Sequence, residues 1–483
     1  MEPIFELAIA LPAPGSGNLL RELHRQLRSA IINGRLQPGT RLPATRRFAA
    51  IVGVSRNTAV AVYDMLQSQG YIDIRPGAGA FVAQHICRHS PQTVDSQADA
   101  RLNPFWRNPP LPSLSFQPPY RFDFRIGLSD NSNFPYPIWQ RLLLRSQRNL
   151  AKMLSHYADP QGQSRLRAAI AGHISFARAV ACQTDDILIT TGVQQGLDLL
   201  ARILVTPGQT LVAIEDPGYQ PASVAFTAAG AQIIRIPVDA EGIRVGDIPP
   251  QTRVIYVTPT HQFPLGHTLS MRRRTALIEF AQRHRAVIVE DDYDSEFRYS
   301  RNPLDALQTL DRSGQVFYLG TFSKSLFPAL RLGFVVVPGW ARTALISAKR
   351  FSDWHSPVLE QETLASYIAE GHLARHIRRM RKIYGDRHTT LVSSISRHCP
   401  DLLEPISAPC GLHMTALLKD QRLQAEDIAE RAADKGMGLY ALTRYPIAKS
   451  SLNGFAFGLG MINSTCIDEA IVQLATLMRE VPR

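Results

Sequence analysis

From residue 121 onward, short apolar runs alternate with stretches of helical character, and this alternation narrows the large part of the chain to one kind of architecture. The runs are Ile187-Leu188-Ile189-Thr190, Leu211-Val212-Ala213-Ile214, Ile233-Ile234-Arg235-Ile236, Val254-Ile255-Tyr256-Val257, Ala286-Val287-Ile288-Val289, Val316-Phe317-Tyr318-Leu319 and Gly333-Phe334-Val335-Val336-Val337. A strand that is apolar at nearly every position is buried on both faces, and the helices between such strands serve as crossovers. The expectation is an α/β domain with a mostly parallel sheet and helices on both faces. Functional groups should sit in the loops at the strand ends. Roughly the last 120 residues read as a smaller α+β lobe.

The start of the chain follows another pattern. Leu20, Leu23, Leu27 and Ile31 recur at three- and four-residue spacing, which predicts an amphipathic helix stopped by Asn33-Gly34. Gln37-Pro38-Gly39 marks a turn, and a second short helix is expected over 44–52. Gly53 is the next turn. Ser55 is a good N-cap for a third helix to about residue 69, with Val60, Tyr63 and Leu66 facing inward. Two short strands, Tyr71-Ile72-Asp73-Ile74 and Ala80-Phe81-Val82-Ala83, flank Arg75-Pro76-Gly77-Ala78-Gly79 and form a hairpin.

Three regions result: an N-terminal domain over 1–85, a linker over 86–120 and a large domain over 121–483. The linker is polar and interrupted by Pro91, Pro104, Pro109, Pro110, Pro112, Pro118 and Pro119, so it is expected to be partly extended. Its Trp106 and Phe116 are candidates to dock on a neighbouring surface. Residues 1–85 hold nine Arg and five Asp/Glu, or +4 of the net +12 of the whole chain. A third of the excess charge in a sixth of the length favours a polyanion partner there.

At 483 residues the chain exceeds what one typical core supports. No run of about 18 apolar residues is present, so no membrane span is expected. Met1-Glu2-Pro3-Ile4-Phe5-Glu6 lacks the basic-then-apolar form of a secretory signal. The cysteines Cys87, Cys182, Cys399, Cys410 and Cys466 show no metal-ligand spacing, and a reduced, cytosolic chain without a metal is expected.

In a helix-turn-helix the second helix enters the major groove and its first residues meet base edges. Those residues are Ser55, Arg56, Asn57 and Thr58. Arginine can fork onto guanine, and asparagine can pair with adenine. Arg41, Thr45 and Arg46 lie where phosphate contacts are expected. Arg75, with the Gly77/Gly79 turn, could reach the minor groove or the backbone. Charge and helix count alone fit a small helical domain with a solvated basic face equally well. The segments Gly34-Arg35-Leu36, Pro38-Gly39-Thr40-Arg41-Leu42-Pro43, Gly53-Val54-Ser55-Arg56-Asn57-Thr58, Gly70-Tyr71 and Pro76-Gly77-Ala78-Gly79 carry more. Over residues 18–83 they closely resemble the GntR-type winged helix-turn-helix, an α+β fold that implies binding to double-stranded operator DNA.

In the large domain, Lys324 follows the run Val316-Phe317-Tyr318-Leu319 within Gly320-Thr321-Phe322-Ser323-Lys324-Ser325. The run before it ends in Glu290-Asp291-Asp292-Tyr293. These are parts that pyridoxal phosphate needs. Lys324 supplies an amine for the Schiff base. Asp291 can keep the pyridine nitrogen protonated, and Tyr293 can reach the ring hydroxyl. Gly192, Val193 and Gln194 open a helix suited to the phosphate, with Thr321, Ser323 and Arg331 beside it. Tyr219 is placed to stack on the ring, and Arg444 can grip a substrate or effector carboxylate. Each of these residues taken singly has an ordinary reading as a loop, cap, turn or surface ion pair. Their joint order at strand ends favours the cofactor.

Gly192-Val193-Gln194-Gln195, Asp216-Pro217-Gly218-Tyr219, Asp291-Asp292-Tyr293 and the Lys324 motif with Arg331 resemble the fold-type I aminotransferases over roughly residues 121–480. Tyr157, in His156-Tyr157-Ala158-Asp159-Pro160-Gln161-Gly162, resembles the tyrosine that family members lend to the phosphate across a dimer. One loop departs from the family. Where aminotransferases carry an Asn that contacts the ring hydroxyl, Thr258-Pro259-Thr260-His261-Gln262-Phe263-Pro264-Leu265-Gly266 puts Phe263. Either His261 or Gln262 substitutes, or the contact is missing.

This loop and Glu290-Asp291-Asp292-Tyr293-Asp294-Ser295-Glu296-Phe297 look like the MocR/GabR group of regulators. That resemblance implies a domain-swapped head-to-tail homodimer in the bacterial cytoplasm, nucleoid-associated when bound to DNA. It implies transcriptional control by a small amine, an amino acid or pyridoxal phosphate. A catalytically active aminotransferase with an accessory DNA-binding module is the alternative.

Overall fold

The computed structural model describes residues 19–84, 101–107, 120–152, 156–299, 304–406, 410–445 and 452–480. Phe116 and Cys87 lie outside the described residues. The chain divides into two compact units, Met1–Arg107 and Asn108–Arg483.

In the first unit, helix α1 (Leu19–Ile32) buries Leu23, Leu27, Ala30 and Ile31. Helix α2 (Thr45–Val52) buries Phe48, Ala49 and Val52 and ends at Gly53, whose φ of 75° is left-handed and suits glycine. Helix α3 (Arg56–Ser68) starts at Ser55, whose side chain accepts from the Thr58 amide at 3.1 Å. Its inward stripe is Ala59, Val62, Tyr63 and Leu66, at the i, i+3, i+4, i+7 spacing of one helix face. Val60 was expected to face inward. It lies a third exposed, because one residue past Ala59 turns it about 100° off the stripe. Buried Tyr63 satisfies its hydroxyl by donating to the Pro43 carbonyl at 2.9 Å. The hairpin pairs β1 (Ile72–Arg75) with β2 (Gly79–Val82), Ile72 opposite Val82 and Arg75 opposite Gly79.

The Ser55 cap is the joint between α2 and α3. Replacing it by alanine removes one partner of an otherwise orphaned helix amide and should destabilise this unit by about 1 kcal/mol. Thermal unfolding measures the loss, and Ser55→Asn, also a good cap, should restore most of it. An unchanged midpoint for Ser55→Ala would contradict the cap.

Within the stretch expected to be an extended linker, Pro104–Arg107 forms one helical turn. The reason is local: the Asn103 side chain accepts from the Phe105 amide at 3.0 Å, a cap that the proline count hides. Trp106 sits edge-on to Phe105 and stays half exposed.

The second unit opens with β3 (Phe122–Asp123). Among the described residues its main sheet has eight strands: β4 (Ile187–Thr190), β5 (Leu211–Asp216), β6 (Gln232–Asp239), β7 (Gly242–Ile243), β8 (Val254–Val257), β9 (Val287–Asp292), β10 (Val316–Thr321) and β11 (Gly333–Val336). Their order is β4-β11-β10-β9-β8-β5-β6-β7. The pairs β10/β9, β9/β8, β8/β5 and β5/β6 are parallel. Strand β11 is antiparallel to both β10 and β4.

Alternation along each strand fills cores on both faces of the sheet. Ile187 and Ile189 pack with Trp139, Leu166 and Leu364 on one face. Leu188, Val212, Tyr256 and Leu319 pack with Leu197, Leu200 and Phe226 on the other. Because both faces are covered, the sheet offers its polar functions to a ligand at the strand ends.

The small lobe has an antiparallel sheet of β12 (Leu403–Ile406), β13 (His413–Leu418), β15 (Tyr440–Ala441) and β16 (Gly454–Gly458). The remaining strand, β14 (Met437–Gly438), pairs in parallel with β3. Phe122 and Phe124 thus enter the lobe core beside Phe455, Phe457 and Ile471, so the lobe is built from both ends of the unit. Among the described residues no helix is long and apolar enough to cross a membrane.

Candidate cofactor site and DNA-reading surface

The register brings three chain segments to one sheet edge: Thr321 of β10 lies opposite Gly333 of β11, and Gly333 opposite Thr190 of β4. Immediately past Thr190, Gly192 caps the helix Val193–Leu204. Arg331 reaches the same point. Its φ of 51° turns the chain back into β11, and its guanidinium donates to the Thr191 carbonyl at 2.7 Å. A Cβ on Gly192 would stand 3.1 Å from that guanidinium, and one on Gly333 would stand 2.9 Å from the Gly192 Cα. Both positions therefore need glycine for close approach. The Thr321 hydroxyl accepts from the Ser323 amide and lies 3.1 Å from the Ser323 hydroxyl. Gly192, Val193, Gln194, Thr321, Ser323 and Arg331 thus converge as a helix N-terminus ringed by hydroxyls and one cation, which suits a dianion.

Gly192→Ala should strain a φ of 92° by about 1–3 kcal/mol and push Arg331 from its carbonyl. The expected outcome is weaker retention of a phosphorylated ligand on dialysis with the secondary structure kept. Retention equal to wild type would contradict the phosphate role.

Lys324 sits in the next turn, half-buried, and donates to the Gly127 carbonyl at 2.6 Å. Burial pulls its amine below the usual lysine range, against the pull of Asp294 and Asp291. At the end of β9, successive side chains point to opposite faces, and this sets Asp291 apart from Glu290 and Asp292. Glu290 accepts from the Leu307 and Gln308 amides, each at 2.8 Å. Asp292 accepts from Arg178 at 2.8 Å and from the Tyr318 hydroxyl at 2.6 Å. Asp291 accepts from the Tyr256 hydroxyl at 2.7 Å through Oδ2, while its Oδ1 is buried with no partner among the described residues. Burial pushes the Asp291 carboxyl up to about 7. An unpartnered buried carboxylate oxygen is costly unless a donor meets it.

Tyr219 caps the helix Gln220–Ala228 and meets Phe263 edge-on at 5.6 Å. Burial and nearby Asp291 push its phenol up to about 12. Phe263 also contacts Tyr293, His413 and Tyr445, forming an aromatic wall. In the departing loop, Gln262 spends its amide N–H groups on the Pro217 and Phe263 carbonyls. The His261 ring is buried, with Nδ1 2.9 Å from Asp294. Tyr293 donates to the His261 carbonyl at 2.9 Å.

Sequence reasoning missed Asp294, Tyr256, His413 and Gly127. Asp294 accepts from the Leu412 amide at 2.9 Å and binds His261. Burial opposes its ionisation, but His261 outweighs it and holds the carboxyl below the usual range. His261, Asp294 and His413 come close enough to share an ion. Their polar atoms are instead engaged in hydrogen bonds, His413 Nε2 lying 3.0 Å from the Pro264 carbonyl. The only signal of Asp294 was its place in the acidic run after β9.

Two candidates lie away from this cluster. Tyr157 is 70% exposed and packs on Trp354 with ring centroids 4.4 Å apart. The preceding Asp353 accepts from Gln195 at 2.8 Å, which places that pair near the first turn of the helix Val193–Leu204. Arg444 is exposed, with its guanidinium 5.2 Å from the Tyr440 ring centroid and no ion pair among the described residues. Its neighbour Tyr445 joins the aromatic wall at Phe263.

In the first unit, Arg56 and Asn57 are exposed at the start of α3, and no hydrogen bond holds either side chain among the described residues. The Ser55 and Thr58 hydroxyls are 2.8 Å apart and engaged in the cap. Arg46 is exposed and Thr45 half-buried at the start of α2. The Arg41 guanidinium lies against the hairpin turn, where a Cβ on Gly79 would stand 3.3 Å from its Nε. Arg75 covers the Phe81 ring at 4.8 Å, and Gly77 and Gly79 take φ of 75° and 107°.

Residues 19–82 match the family described as bacterial regulatory proteins, gntR family. Residues 126–439 match aminotransferase class I and II. The chain is 36% identical over 466 residues to the probable rhizopine catabolism regulatory protein MocR of Rhizobium meliloti, covering 94% of this chain and 92% of that one. It is 30% identical over 456 residues to the pyridoxine biosynthesis transcriptional regulator PdxR of Corynebacterium glutamicum, covering 94% and 95%. The crystal structure of Pyrococcus horikoshii kynurenine aminotransferase, in complex with PMP, is similar with a TM-score of 0.68 and 29% identity, over 74% of this chain and 91% of that one. The cofactor of this aminotransferase fold is pyridoxal 5'-phosphate, and the bare Asp291 oxygen beside Lys324 and the cradle at Gly192 fit its ring nitrogen and phosphate. The chain belongs to the MocR-type transcriptional regulators, in which a DNA-binding gntR-family domain is joined to an aminotransferase class I and II domain.

Proposed function

We propose that occupancy of the Lys324 pocket, by pyridoxal phosphate alone or with an amino compound, sets how the first unit reads its operator. The observation that carries this is the buried, unpartnered Oδ1 of Asp291 near a lysine, in a chain that also carries a DNA reader. When bound, the cofactor supplies an aldehyde carbon and an electron-accepting ring. Lys324 offers its amine, more often neutral than a surface lysine because burial disfavours the charged form. Asp291 holds a proton at the ring nitrogen. Tyr293 meets the ring hydroxyl, and Tyr219 with Phe263 covers the ring and excludes water. Gly192, Val193, Gln194, Thr321, Ser323 and Arg331 hold the phosphate, with Tyr157 lent by a second copy.

A domain-swapped head-to-tail homodimer in the bacterial cytoplasm, on the nucleoid when bound, is the assembly we assign. Arg444 holds the carboxylate of an amino-acid effector. The relatives named for rhizopine catabolism and pyridoxine biosynthesis support an amino compound or the cofactor itself as effector. A ligand acts only if it binds two states of the protein unequally.

For the reader, Arg56 and Asn57 contact bases with Ser55 and Thr58 beside them at the start of α3, Arg41, Thr45 and Arg46 contact phosphates, and Arg75 with the Gly77/Gly79 turn reaches the minor groove or the backbone. Arg56→Ala should cost about 1–3 kcal/mol and relax preference at one base pair. Arg46→Ala should weaken all sequences alike and lower the salt slope by about one. Anisotropy titrations on operator and scrambled duplexes at several salt concentrations separate the two. Equal weakening of both duplexes by Arg56→Ala would contradict base reading.

A further inference from the structure

The helix His372–His398 carries five cations within eight residues: Arg375, Arg378, Arg379, Arg381 and Lys382, all exposed. Arg375, Arg378, Arg379 and Lys382 share one face at i, i+3, i+4, i+7 spacing, opposite the buried Leu373, Ile377, Met380 and Tyr384. Among the described residues none of the five makes an ion pair. The same helix neutralises its other cations. Arg387 pairs with Asp130 at 2.6 Å, and Arg397 and His398 pair with Asp468. In the stripe, Arg375 donates to the Glu370 carbonyl at 2.9 Å and Arg379 to the Asn133 side chain at 2.7 Å, both neutral acceptors. Arg381 donates to the Glu296 carbonyl at 2.9 Å. The first acid on that face, Asp386, comes one turn later.

Like charges at these spacings repel, so the helix itself gains nothing from them. No large apolar side chain is exposed on this helix, which argues against a protein partner, whose contact core would need one. The polyanion this chain already binds is duplex DNA. We propose that this face is a second DNA-backbone contact, in which the aminotransferase-like unit binds phosphates flanking the site read by the first unit. Cations on a rigid helix surface read no sequence, so they add affinity and salt dependence without preference.

The test is the full-length variant Arg375→Gln/Arg378→Gln/Arg379→Gln/Lys382→Gln, titrated on a duplex limited to the operator and on one with long flanks. On the flanked duplex the slope of log K against log salt should fall by about 0.9 for each phosphate no longer neutralised, up to about 3.6. Binding to the short duplex, base preference and cofactor absorbance should stay as in wild type. Arg378→Gln and Lys382→Gln alone, whose side chains make no hydrogen bond among the described residues, should each lower the slope by about 0.9 and serve if the fourfold variant misfolds. An unchanged slope on the flanked duplex overturns the proposal. A changed sedimentation mass of the variant overturns it too, because the face would then seat a second copy of the chain.

Discussion

Lys324→Ala removes the visible absorbance of the purified protein, and borohydride no longer fixes cofactor to the chain. Wild type reduced in the same way carries the adduct on Lys324. The expected loss of covalent attachment is complete, because among the described residues no other lysine is poised to replace it. Lys349 is also buried, and burial lowers its amine, but that amine is tied to Asp353 at 2.5 Å and Ser356 at 3.2 Å and so is held away from the strand-end cluster. The phosphate cradle at Gly192 and the Asp291 oxygen remain in the variant, so weak reversible binding should survive. An adduct that maps to any other lysine would show that the strand-end assignment is wrong.

Asp291→Asn produces the second large effect, and pH reveals it. In the cofactor-free protein, burial raises the Asp291 carboxyl from 3.8 to about 7. The folded state then binds a proton that the unfolded state has lost, so stability falls as pH rises between these values. The contribution is fully present below about pH 4 and lost as pH passes 7. At about 1.4 kcal/mol per pKa unit, the change is on the order of 4 kcal/mol. The asparagine side chain has no proton to lose, so the variant should lack this part of the slope. Glu215 and Glu290, both raised to about 7 by burial, remain in both proteins, so the difference between the two denaturation series reports Asp291 together with its electrostatic effect on Glu215. Cofactor reverses the logic for wild type: a protonated ring nitrogen favours the carboxylate, and bound protein should gain stability toward neutral pH. Identical pH dependence of wild type and variant would shift the ring-nitrogen role away from Asp291.

The sheet was legible in the sequence because its strands are apolar at nearly every position, a pattern that burial on two faces enforces. The direction of β11 was not, since an apolar run carries no sign of orientation. The left-handed turn at Arg331 that reverses the chain there has no glycine to announce it. The lobe's use of Phe122 and Phe124 was also hidden, because pairing between β3 and β14 joins residues some 315 apart by a two-residue strand. In α3, Val60 is apolar yet lies off the phase of the buried stripe Ala59, Val62, Tyr63 and Leu66, so its hydrophobicity alone points the wrong way.

At the candidate site, the residues singled out by short motifs, Lys324, Asp291, Gly192 and Arg331, lie together at one sheet edge. Those contributed by distant, ordinary-looking segments are not so marked. Tyr256 lies mid-strand, His413 opens a strand of the lobe and Gly127 lies in a loop, and nothing in their local sequence ties them to Lys324. In the loop that departs from the aminotransferase pattern, Gln262 is hydrogen-bonded to carbonyls and His261 to Asp294, contacts that the loop's local sequence does not announce.

Control of the reader by the pocket at Lys324 is tested most directly by operator affinity. The proteins compared are wild type and Lys324→Ala, each with and without pyridoxal phosphate and then with added primary amines. Ligand should shift the operator affinity of wild type, and Lys324→Ala, still able to bind operator, should lose that shift. Equal shifts in both proteins, or a wild type that binds operator identically in every ligand state, would contradict such control.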